Sequence, residues 1–140
     1  MRDIWFRAKR IDNGEWVEGY YVALPDAVEM THIIHTPRCD PDDSNRTYFV
    51  DPDTIGQYIG LEDKHGKIIY EGDIAAIDPT VFDVDEENRY GKVFWDNEAS
   101  RFTITISDRF IDFDNCRCYN DIEVVGNIYD NPGLIGGDNK

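Results

Sequence analysis

Apolar and polar residues alternate with a period of two along most of this 140-residue chain, and the 3.6-residue recurrence of an amphipathic helix is nearly absent. That single feature restricts the fold to strands with one face buried. From Asp3 to Lys9, Ile4, Phe6 and Ala8 share one face, while Trp5, Arg7 and Lys9 share the other. Asn13-Gly14 predicts a two-residue turn with positive φ, with Glu15 to Leu24 as the returning strand. Arg101 to Ser107 alternates most cleanly, Phe102, Ile104 and Ile106 against Thr103, Thr105 and Ser107. Further strands are expected at Met30–His35, Thr47–Val50, Thr54–Leu61, Lys67–Tyr70, Asp73–Ile77, Tyr90–Asp96 and Asp121–Tyr129.

The intervening segments carry turn chemistry. Residues 26–30 could hold one helical turn and no more. Residues 37–46 combine two prolines with Asp, Ser and Asn and read as a loop. Residues 78–89 read as an acidic loop, and residues 108–120 show no period. The expected fold class is therefore all-β, built of antiparallel hairpins, with a small, partly open barrel-like C-terminal part. A weak boundary separates an N-terminal β-hairpin region, residues 1–54, from the barrel-like region, residues 55–140, and leaves open one shared core.

Charge sets the next limits. Fourteen Lys and Arg face twenty-nine Asp and Glu, for a net −15. Such a balance opposes direct binding to nucleic-acid phosphates or anionic lipid, both of which select basic surfaces. No apolar run approaches the ~18 residues of a membrane span, and the charged opening Met1–Arg7 does not resemble a signal peptide. A cytoplasmic protein is expected. Cys39, Cys116 and Cys118 then read as reduced thiols.

Two kinds of chemistry can be weighed. His32, His35 and Cys39, with Cys116 and Cys118, supply zinc-type ligands. However, His32 and His35 are three apart and point to opposite faces of a strand, so surface histidines and small buried cysteines are the expected reading. Among twenty-nine carboxylates, a neighbouring pair such as Glu71 and Asp73 says little about acid–base catalysis. No nucleophile lies in an elbow and no glycine loop cradles phosphate. Neither catalytic nor metal residues nor a cofactor are assigned, and no enzyme activity is expected. Gly72-Asp73 and Gly126-Asn127 instead read as turns or bulges held by a short polar side chain.

Four segments together resemble the YopX family of phage and prophage proteins. They are the opening M-R-D-I-W-F-R-A, residues 1–8; G-Q-Y-I-G-L-E-D-K-H-G-K-I-I-Y-E-G-D-I, residues 56–74; Gly91-Lys92-Val93-Phe94-Trp95; and E-V-V-G-N-I-Y-D-N-P, residues 123–132. Ile59, His65 and Gly133 depart mildly from the family's usual Thr, Asn and Glu. The resemblance implies a small β-rich protein encoded by a phage or prophage and working in the bacterial cytoplasm. It implies no catalytic or ligand residues.

The resulting expectation is a protein that binds another protein, of host or phage, and homo-oligomers fit the same features. Its candidate partner surface is Asp63, Lys64, His65, Tyr70, Glu71 and Asp73. An acidic DNA mimic is the first alternative: residues 78–90 hold five carboxylates against one arginine. A metal-assisted hydrolase using His32, His35 and Cys39 is the second.

Overall fold

A computed structural model describes residues 4–25, 30–36, 47–78, 89–106, 109–112 and 122–135. The expected turn at 26–30, apart from Met30, the loop at 37–46, most of the acidic loop and all three cysteines lie outside the described residues. The described chain forms eleven strands and two short 3-10 turns. Among the described residues these strands pair antiparallel, and the fold is all-β. The chain separates into two compact units, residues 1–58 and 59–140, dividing inside one strand. Each unit contains its own apolar cluster.

In the first unit, β1 (Phe6–Lys9), β2 (Trp16–Pro25), β3 (Met30–His35) and β4 (Thr47–Phe49) form consecutive antiparallel neighbours. The start of β5 (Gly56–Glu62) pairs with the other side of β1 through Phe6–Gln57 and Arg7–Gly56. The end of β4 returns to the end of β1 through an Arg10–Val50 bridge, and Ile11 N–H donates to Phe49 O at 3.0 Å. The sheet thus curls around Ala8, Ile34 and Val50, with Phe6, Val17, Tyr21, Tyr48 and Ile55 packed against them. Alternation along β2 explains this. Val17, Gly19, Tyr21 and Ala23 face inward, whereas Glu18, Tyr20, Val22 and Leu24 are exposed.

The first hairpin differs from the sequence expectation in its turn. Arg10 N–H donates to Glu15 O at 2.9 Å, leaving Ile11-Asp12-Asn13-Gly14 as a four-residue loop. Gly14 alone in this loop has positive φ, at 75°. Asn13 instead uses its side chain, whose Oδ1 accepts from Glu15 N–H at 2.9 Å. The local hydrogen bond and the Arg10–Asp12 ion pair at 2.6 Å favour the longer loop over a two-residue turn.

The second unit holds the rest of β5 and β6 (Ile68–Tyr70). Its sheet comprises β7 (Asp73–Ile77), β8 (Tyr90–Asp96), β9 (Arg101–Ile106), β10 (Arg109–Asp112) and β11 (Ile122–Asn127), in the order β10-β9-β8-β7-β11. Ile59 and Ile69 join Ala75, Ile77, Val93, Ile104, Ile122 and Val124 in one cluster. The barrel-like expectation resolves into an open sheet, and no barrel closes among the described residues. Strand β10 lies in the segment without a period; it forms because its four residues pair in register with Thr103–Ile106 of β9.

Gly19 marks the tightest strand contact of the first unit. A Cβ added there would lie 2.2 Å from the carbonyl oxygen of His35, a backbone atom that cannot swing aside. Gly19→Ala must push β2 from β3. It is expected to destabilise the protein by about 1–3 kcal/mol, as overpacking does, seen as a lower denaturant midpoint at unchanged slope.

Candidate functional site

The segment 56–74 builds two turns around buried carboxylates. Asp63 follows β5 and is 6% exposed. Its Oδ1 accepts from His65 N–H and Lys67 N–H, both at 2.9 Å, closing the turn before β6. Its Oδ2 accepts from Val124 N–H of β11, also at 2.9 Å, sixty-one residues along the chain. Burial pushes the Asp63 carboxyl up, but the N–H donors of Val124, Lys67 and His65, with the nearby His65 ring, outweigh it and hold the group below its ordinary value.

Asp73, 1% exposed, closes the turn between β6 and β7 by accepting from Tyr70 N–H at 2.8 Å. Its register partner on β11 is Asn127, whose Oδ1 accepts from Tyr129 N–H and Asp130 N–H, both at 2.9 Å. The Gly-Asp and Gly-Asn pairs are thus turn devices. A Cβ at Gly126 would meet Asn131 Oδ1 at 2.5 Å, so a side chain there must displace the Asn131 carboxamide, whose Oδ1 accepts from Asn127 N–H.

These placements divide the six residues of the sequence-derived surface. Asp63, Tyr70 and Asp73 are buried and offer little contact area; the carboxylates of Asp63 and Asp73 hold the turns, and Tyr70 gives its backbone N–H to Asp73. Glu71 is half-buried, while Lys64 and His65 are exposed. The His65 ring lies 3.7 Å from the Glu123 carboxylate. Sequence alternation could not show this, because a polar residue in a turn looks the same whether it faces water or caps backbone amides.

A second place, in the first unit, has the shape of a binding site. A groove of about 760 Å3 is lined by residues 10–12 after β1, Met30, Thr31 and His32 of β3, and residues 47–50 and Pro52 at and after β4. Its size lies within the range of ligand pockets. Ile11, Met30 and Phe49 are large apolar side chains 67%, 48% and 62% exposed. The Arg10 guanidinium lies over the Tyr48 ring at 4.7 Å. A two-pronged hydrogen bond from Arg10, at 2.9 and 2.6 Å, holds the Asp12 carboxyl below its ordinary value.

The histidines separate as the odd spacing requires. His32 pairs in register with Ala23, and its Nδ1 lies 2.6 Å from Tyr21 Oη. His35 pairs with Tyr20, and its Nδ1 lies 3.2 Å from Thr47 Oγ1. They do not converge on one point, and Cys39 lies outside the described residues. Among the described residues no three His, Cys, Asp or Glu side chains gather as a metal site would need.

Asp63 generates a pH dependence of stability. Because its folded value is lowered, its contribution is complete above the ordinary aspartate value of 3.8 and is lost as pH falls from there through the folded value. Asp63→Asn is expected to cost about 1–3 kcal/mol at neutral pH and to flatten the loss of stability on acidification. Denaturant midpoints measured across the acid range check both; equal acid slopes in the two proteins would contradict the assignment.

The crystal structure of protein EF1440 from Enterococcus faecalis is similar to this chain, with a TM-score of 0.60 over 96% of this chain and 99% of that one. Sequence identity is 22%, so the likeness concerns the fold. No curated protein matches this chain. The YopX protein family matches residues 5–136, a span containing three of the four recognised segments whole and the second half of the first. The chain belongs to the YopX family.

Proposed function

We propose that this chain is a small phage- or prophage-type protein of the bacterial cytoplasm that works by binding another protein and not by catalysis. The observation that carries this reading is the groove of the first unit, where Ile11, Met30 and Phe49 expose large apolar surfaces around one concavity. Exposed apolar side chains grouped around a cavity are what an interface anchor requires. Scattered singly they would need no explanation. Much of the polar lining of the groove is already engaged within the protein. Arg10 and Asp12 are engaged with each other, and His32 with Tyr21. This favours a partner that inserts an apolar side chain over a substrate held by many polar contacts.

The net charge of −15 serves solubility by keeping copies of the chain apart. A DNA mimic would bind through its carboxylates, and its affinity would fall steeply with salt. Apolar anchoring has the opposite signature.

Affinity capture from a bacterial host lysate, with groove variants beside the parent protein, tests the reading. Phe49→Asp and Met30→Asp replace exposed side chains and should leave stability nearly unchanged. Each is expected to reduce recovery of the captured partner about tenfold or more. Leu134→Asp, on the distant sequence segment 132–135 of the second unit, should leave it unchanged. Recovery should vary little between about 0.05 and 0.5 M salt. Loss with all three substitutions alike, or a steep fall with salt, would overturn groove binding.

A further inference from the structure

Strand β11 ends the order β10-β9-β8-β7-β11, with β7 on one side. The backbone groups on an end strand's far side are a template for another strand unless something covers them. Two of them are covered here by the turn after β5. Lys64 N–H donates to Ile122 O at 3.0 Å, and Val124 N–H donates to Asp63 Oδ2 at 2.9 Å. One donor and one acceptor, two residues apart on β11, are therefore satisfied in the pattern of a ladder step. A carboxylate oxygen stands where a neighbouring strand would place its carbonyl.

We propose that Asp63 and Lys64 form an edge guard whose role is to stop β11 from pairing with β11 of a second copy of this chain. A second copy is the occupant because an antiparallel β11–β11 pair is self-complementary about a two-fold axis, each strand offering the same Ile122 O and Val124 N–H to the other. The adjoining Val125 is 38% exposed, so uncovering the edge would join open hydrogen-bonding groups to apolar surface. A main-chain turn alone would not close this edge. Residues 63–67 supply one amide from Lys64, and the acceptor must come from a side chain long enough to cross to β11. The same carboxylate spends its other oxygen on His65 and Lys67, which fixes its orientation.

Asp63→Asn separates the guard from the turn. An amide side chain has one acceptor oxygen, and the turn offers two donors to it against one from β11. The oxygen should stay with His65 and Lys67, bringing the NH2 group to Val124 N–H, donor against donor.

Amide hydrogen exchange and sedimentation test the proposal. In the parent protein Val124 N–H is expected to exchange as slowly as core amides despite lying on an end strand. Exchange there at the rate of an open edge would overturn the guard with no variant required. In folded Asp63→Asn at low concentration, Val124 should lose protection by about tenfold or more, while the amides of β7 keep theirs. At higher concentration the variant should show an association step that the parent lacks, and Val124 should regain protection. A folded variant that sediments as the parent does at every concentration, or that associates while Val124 stays unprotected, contradicts the proposal.

Discussion

Backbone N–H and C=O groups that short strands cannot pair among themselves are the constraint on which this structure rests. Most of the eleven described strands have six residues or fewer, and a buried unpaired amide costs about as much as a lost hydrogen bond. Side chains complete the pattern at its ends. Asp63 serves three amides, Asp73 serves Tyr70, Asn127 serves Tyr129 and Asp130, and Thr54 Oγ1 accepts from Lys9 N–H at 2.9 Å. Burying the Asp63 charge carries a desolvation cost, and three amide donors more than offset it. The acidic composition thus has two roles: most carboxylates give the chain its charge, and a few act as backbone acceptors.

The same constraint separates the two features of functional interest. In the second unit the far side of β11 is closed by Asp63 and Lys64, so hydrogen-bonding potential is withheld. In the first unit β4 comes back to β1, and what is left open is apolar: Ile11, Met30 and Phe49 around the groove. An apolar opening discriminates partners by shape, whereas an open strand edge accepts almost any extended chain. A binding protein benefits from the first and is endangered by the second.

Strand positions were largely legible because a half-buried strand writes its burial into every second residue. Arg101–Ile106 and Trp16–Pro25 show it best. β7 is legible through its flanking turns, since all five of its residues are buried and alternation disappears. β10 has no pattern of its own and follows from its register with β9. The candidate site was less legible. Asp63 and Asp73 read as turn residues in the sequence, but their partners on β11 arrive about fifty residues later or more. The groove joins residues 10–12, 30–32, 47–50 and Pro52, and no single stretch of sequence announces it.

By itself the sequence determined that the chain is all-β, where most strands and turns fall, and that it carries a net charge of −15, because these depend on local periodicity, turn chemistry and summed charge. Tertiary structure alone decided which polar residues are buried and which apolar ones exposed. Those outcomes depend on pairing between distant segments, and a carboxylate that caps a strand reads in sequence like one that faces water.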